Sequence, residues 1–145
     1  RLLRYYGLWE VFLVRCLGFR WSEAHVEAHN LEHHISEKVA DRLEEFLGHP
    51  EYCPHGMPIP KKDGSRAPEA RRPLLSMEPG ESSHIRCCRE DSELMDYLQD
   101  SGISMGMAIT LKEKEPYEGP VIFLSEGKEF SLSYKAAAQL FVDSR

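Results

Sequence analysis

Residues 54–73, PHGMPIPKKDGSRAPEARRP, hold five prolines and two glycines in twenty positions and show no helical period. Proline fixes φ and donates no backbone hydrogen bond, so neither a helix nor a central strand can run through this stretch. The chain must therefore fold as two textures joined by an extended crossover. Before it, apolar residues recur at helical spacing; after it they alternate. With 145 residues, one large domain or two small ones can form.

The N-terminal part predicts three helices. In the first, Trp9, Phe12, Leu13, Cys16 and Leu17 fall at i, i+3, i+4, i+7 and i+8, and Gly18 suits the stop. Ser22 is expected to cap a second helix running to about His34. A third starts near Ser36, turns Val39, Leu43, Phe46 and Leu47 inward, and ends at Gly48. Beyond Leu74 the pattern predicts short strands at 85–88, 107–111, 120–124 and 129–132. SEGK forms a hairpin turn between the last two, and a helix at 92–100 interrupts the series. The expected fold class is α+β, a three-helix domain over 1–60, a linker over 61–73 and a small SH3-like barrel over 74–145. Helices so rich in aromatics are expected to bury one face in a homodimer.

Several classes are excluded by composition. A net charge of −6 argues against this chain alone gripping a phosphate backbone. No stretch approaches the roughly 18 uncharged apolar residues that a membrane helix needs. Nor does the opening LLRYYGLWEVFLVRCLGF read as a signal peptide, since charges interrupt it. Four cysteines, two of them adjacent, do not make a secreted disulfide framework, so the expected compartment is reducing and cytoplasmic. Starting at Arg1 without an initiator Met, the chain reads as a fragment.

The second helix carries the chemistry. WSEAHVEAHNLEHHISEK (21–38) has four histidines and four glutamates. At about 100° per residue, with His25 at zero, His29 lies at roughly 40°, Glu32 at 340° and His33 at 80°, whereas His34 falls opposite. Imidazole and carboxylate on neighbouring turns suit borderline divalent ions such as Fe(II), Mn(II), Co(II) or Zn(II). Two other readings stay open. A polar helix face can simply be solvated. HNLEH (29–33) also matches H-x-x-E-H, in which two histidines bind zinc and Glu32 activates water. Cys53-Pro-His55 could bind metal but reads as a loop, and Cys87-Cys88 should turn one thiol inward.

LWEVFLVRCLGFRWSEAHVEAHNLEHHIS, followed by RLEEFLGHPEYCPHGMPIP, resembles the dimerisation region of the diphtheria-toxin-repressor and manganese-transport-regulator family. LSMEPGES, LQDSGISMGMAI, EGPV and AAAQLFV are similar to the FeoA/SH3-like domain that often follows it. The resemblance implies a primary metal site at His29, Glu32 and His33, and an ancillary site at Glu10 and His25 with a barrel carboxylate such as Asp91. It implies Fe2+ or Mn2+ as the ion, with Co2+, Ni2+ or Zn2+ as surrogates, and no catalytic or small-molecule substrate site. It also implies operator DNA as a partner, read by an N-terminal winged helix–turn–helix that is not seen in this sequence. Some relatives instead carry this module behind a metal-transporter permease. Three positions depart from the family pattern. His29 stands where iron-responsive members have Cys and manganese-responsive ones a carboxylate. Tyr6 stands where many offer a histidine, and Leu94 replaces a polar barrel residue.

Overall fold

A computed structural model of the chain describes residues 2–144, and gives two compact units. One comprises the chain up to Glu69 together with Asp91–Asp96; the other comprises Ala70–Glu90 and the chain from Tyr97 onward. Among the described residues no helix is long and apolar enough to cross a membrane.

The first unit is built around α1 (Leu2–Leu17), with α2 (Trp21–Leu31) and α3 (Glu37–Phe46) packed on it. Two apolar faces of α1 are used. Tyr5, Leu8 and Val11 cluster with Ala40, Leu47, Cys53 and Ile59; Tyr6 and Leu13 cluster with Ala24 and Ala28 of α2. The single stripe expected from the sequence is therefore corrected. Leu13 is buried and Trp9 and Phe12 partly so, while Cys16 and Leu17 are exposed, because a helix covered on two sides does not concentrate its apolar residues in one row.

Helix boundaries follow local chemistry. The α2 N-cap is Arg20, not Ser22: the Arg20 backbone N–H donates to the Glu23 carboxylate at 3.1 Å. Ser22 Oγ instead donates to Asp96 Oδ1 at 2.6 Å. The helix stops at Leu31 with Glu32 as its C-cap, three residues short of His34. Ser36 caps α3 as expected, accepting from Val39 N–H at 3.1 Å. The inward set on α3 is Ala40 with Leu43 and Leu47, whereas Val39 and Phe46 face outward, Phe46 at 71% exposure. Arg4 is buried on α1 and reaches Asp41 at 3.0 Å and Glu44 at 3.1 Å on α3.

After α3 the prolines do what the sequence requires. Residues 51–59 fold into a tight loop: Cys53 N–H donates to Met57 C=O, Gly56 N–H to Cys53 C=O, and Ile59 N–H to Glu51 C=O, all at 2.8–2.9 Å. Ile59 then seats on α1 at Gly7, where any Cβ would lie 2.8 Å from Ile59 Cγ1. Only glycine allows the loop this close.

In the second unit, β1 (Arg72–Pro73), β2 (Ser82–Cys88), β3 (Ala108–Lys114), β4 (Val121–Ser125), β5 (Lys128–Leu132) and β6 (Leu140–Val142) form one antiparallel sheet. Its strand order is β1-β6-β2-β3-β4-β5. The β4–β5 turn is the expected one: Ser125 pairs with Lys128, and Glu126 and Gly127 take φ of 50° and 76°, both left-handed. Ile109, Leu111, Val121, Phe123, Leu132, Leu140 and Val142 are buried in its core. Both Cys87 and Cys88 are buried, correcting the alternation expected from sequence. The β2–β6 register shifts between Ile85 and Cys87, and such an irregularity breaks the period of two. The remaining helices are α4 (Ser92–Asp100) and the short α5 (Tyr134–Ala137).

Candidate metal centres

The last turn of α2 and its C-cap bring three predicted ligands together. Glu32 Oε1 lies 3.5 Å from His29 Nδ1 and 3.4 Å from His33 Nε2. The carboxylate is mostly covered, at 14% side-chain exposure, while the two imidazoles are half open to solvent. The fourth residue of the face, His25, packs its ring 4.8 Å from that of His29 at 78°. His25 Nδ1 is hydrogen-bonded to the Tyr6 hydroxyl, and the Tyr6 ring stacks on His29 at 4.4 Å.

Glu10 joins a different group. It sits on α1 one turn past Tyr6, where Gly7 and Ile59 hold the 51–59 loop against the helix. There its Oε1 lies 3.8 Å from His55 Nδ1, and His55 Nδ1 is 3.0 Å from Cys53 Sγ. Glu10 is 1% exposed and His55 2%, and one ligand atom from each of the three residues falls within 4.8 Å of the others. Burial pushes the Cys53 thiol well above its ordinary range, and the neighbouring Glu10 charge adds to the rise. Asp91 is exposed and acts as a helix cap, its Oδ1 accepting from Leu94 N–H at 3.0 Å. Asp91 is not a member of the buried group.

The buried group fits a first-row divalent cation. Nitrogen and oxygen ligands lie about 2.0–2.2 Å from such an ion, so adjacent donor atoms are separated by roughly 3.0–3.5 Å. The two contacts of Glu32 Oε1 have that spacing, but His29, Glu32 and His33 do not all converge within 4.8 Å, so a shared ion would need the two imidazoles to swing together. The buried group offers sulfur, nitrogen and oxygen donors, a set suited to borderline ions rather than to Mg2+ or Ca2+. Interior carboxylates are costly unless a positive charge or hydrogen bonds compensate them, and a cation would supply that charge.

The cluster was readable because its members fall within nine consecutive positions, although only His25 and His29 lie on α2 and Glu32 and His33 follow its last residue. Cys53 and His55 were read as loop residues, since what makes them a donor set is Glu10, 43 positions earlier in the chain. The available signal was local: a Cys-Pro-His-Gly turn in a basic, solvated-looking linker whose thiol and imidazole are nonetheless buried.

A family model described as "Iron dependent repressor, metal binding and dimerisation domain" matches residues 1–61, and a FeoA domain model matches residues 72–144. The iron-dependent repressor IdeR of Mycobacterium leprae is 27% identical over 158 residues, spanning 98% of this chain and 67% of that protein. A solved manganese-dependent transcriptional repressor in complex with manganese superposes with a TM-score of 0.89 at 31% identity, covering 99% of this chain and 70% of that one. A probable metal transport system membrane protein of Chlamydia trachomatis is 37% identical over 62 residues, which is 43% of this chain and 14% of that protein. The chain belongs to the metal-dependent transcriptional repressor family, of which it carries the metal-binding and dimerisation domain and the FeoA domain.

Proposed function

We propose that this chain is the metal-sensing, dimerising half of an Fe2+- or Mn2+-dependent transcriptional repressor, with ligands on α2 and in the buried group under α1. The observation that carries the reading is the convergence of Glu10, Cys53 and His55 within the interior of the first unit. A carboxylate, a thiol and an imidazole packed together away from solvent are poorly explained as core residues and well explained as donors. A bound divalent cation supplies a fixed double charge that holds such donors together. The residues do the rest: Cys53 gives up its proton, Glu10 presents Oε1, and Glu32 draws His29 and His33 toward one oxygen.

Dimerisation is supported by α3, which turns Val39 and Phe46 outward one turn to either side of Leu43, with the Phe46 ring 6.4 Å from Phe12. Operator DNA is read by a winged helix–turn–helix outside these 145 residues, and ion occupancy selects the arrangement of reading heads that fits a palindromic site. No catalysis is part of this function. Glu32 shares one oxygen between His29 and His33, the arrangement of a ligand rather than of a general base held toward water.

Titration of the metal-free chain with Co(II) tests the assignment. A near-ultraviolet thiolate-to-cobalt band is expected and should vanish in Cys53→Ser, while a second binding event should vanish in a His29→Ala/His33→Ala variant. Absence of the thiolate band in the parent sinks the buried site. A second reading, a metal-binding module attached to a transporter, rests on the likeness to the Chlamydia membrane protein. Retardation of operator fragments by the intact protein with Mn(II) supports the repressor, and its absence favours the module.

A further inference from the structure

We infer that Tyr6 is a positioning residue of the α2 site: its hydroxyl holds Nδ1 of His25, so that Nε2 is the nitrogen His25 presents to a cation. The inference rests on the proposed metal site on α2 and adds a residue and a tautomer to it. Tyr6 is 6% exposed, and a buried phenol is kept only where its hydroxyl has a partner. That partner is His25 Nδ1. The same ring lies flat against His29, 4.4 Å away with 28° between planes, so one side chain fixes two of the four imidazole and carboxyl groups on this face.

The chemistry follows from the imidazole. A neutral ring has one N–H and one lone pair, and whatever holds the N–H decides which nitrogen can ligate. With Nδ1 held at Tyr6, ligation falls to Nε2, and a ring that ligates through Nε2 carries its N–H on Nδ1, where the phenol oxygen accepts it. Such outer partners set ring orientation and basicity, and losing one typically costs about 10–100-fold in metal affinity. A phenol is protonated near neutral pH and is a weak donor to Mn(II) or Fe(II) by comparison with imidazole, so Tyr6 acts through His25. The residue that replaces the family's usual histidine here has exchanged a ligand for a support.

Tyr6→Phe keeps the stacked ring and removes only the hydroxyl. Long-range proton–nitrogen spectra of the Zn(II)-loaded chain should show the Nδ1–H form of His25 in the parent and its loss in Tyr6→Phe. Co(II) titration should show about a 10–100-fold weaker α2 event in Tyr6→Phe. A merely structural tyrosine would change the melting temperature but neither of these. If His25→Ala weakens Co(II) binding while Tyr6→Phe leaves tautomer and affinity unchanged, the role of Tyr6 is overturned and the metal site stands. If His25→Ala, His29→Ala and His33→Ala all leave Co(II) binding as in the parent, the α2 site itself falls, and the role of Tyr6 with it.

Discussion

Glu10→Gln separates a metal donor from a core residue, because it should move stability in opposite directions with and without metal. The side chain is 1% exposed, and glutamine has nearly the same shape. In the metal-free chain the substitution removes a buried carboxylate that has His55 Nδ1 3.8 Å away. It also removes the second cause holding the Cys53 thiol up. Replacing buried charge by neutral groups of similar volume is commonly neutral to a few kcal/mol stabilising, and about 1 kcal/mol is expected here. For a chain of this size that raises the melting temperature by roughly 3 °C.

With metal the sign reverses. A ligand at 100 times its dissociation constant stabilises the native state by about 2.7 kcal/mol, or roughly 5–10 °C. An amide oxygen is a weaker donor than a carboxylate, so Glu10→Gln should lose most of this shift. Thermal melts by circular dichroism, with chelator and with Mn(II) or Co(II), give both numbers in one experiment. A variant less stable than the parent in chelator, yet showing the full metal-induced shift, refutes the assignment of Glu10 as a donor.

Gly7→Ala drives a Cβ to 2.8 Å from Ile59 Cγ1, and the overpacking of about 1–3 kcal/mol should outweigh the helix-propensity gain of about 1 kcal/mol; a more stable variant with an unchanged thiolate–cobalt band refutes the close seating of loop on helix. Arg4→Met leaves Asp41 and Glu44 without their buried guanidinium and should destabilise the first unit by about 1–3 kcal/mol, discounted for the partners' partial exposure. Lys62 and Arg4 hold the Asp41 carboxyl below its usual range, and for Glu44 the His49 and Arg4 bonds outweigh burial, which pushes the other way. Depressed carboxyls stabilise above their unfolded values and lose that contribution as pH falls through the folded ones, so acid melts below about pH 4 should converge for parent and Arg4→Met. Since the Cys53 thiol sits well above its ordinary range, Co(II) must displace its proton; the thiolate–cobalt band should weaken by up to about tenfold in affinity per pH unit lowered, and a pH-independent band excludes Cys53 as ligand. Phe46→Glu should shift the sedimentation of the chain from dimer to monomer, and an unchanged dimer places the interface elsewhere than on the outward face of α3.

What was legible in the sequence is what a few neighbouring residues decide. The Ser36 cap, the left-handed Gly18 and Gly48 after their helices, and the Ser125–Lys128 turn are each fixed within four or five positions. The histidine face is legible for the same reason, as a single turn sets the spacing of His29, Glu32 and His33. The misreadings come from partners far along the chain. Ser22 looked like a cap and bonds Asp96 instead, 74 positions away. Val39 and Phe46 have the apolar character of core residues but remain largely exposed, Phe46 at the margin beside Phe12 of α1. Cys88 is buried because the register slips opposite β6, which nothing in CC announces.

The two donor groups share one support, and that is what makes the arrangement suited to sensing. Tyr6 and Glu10 stand one turn apart on α1, yet Tyr6 is engaged with His25 and His29 on α2 while Glu10 is engaged with His55 and Cys53 in the 51–59 loop. The helix between them is packed on both sides, by Ala24 and Ala28 on one and by Ala40, Leu47 and Ile59 on the other. Close-packed interiors do not deform smoothly, so a shift of α1 that tightens one donor group is felt at the other. Under the proposed assignment, occupancy at either group should bias the same element and each ion should change the affinity of the other by the same factor; Co(II) titrations of Glu10→Gln and of His29→Ala/His33→Ala check this, and independent affinities refute it.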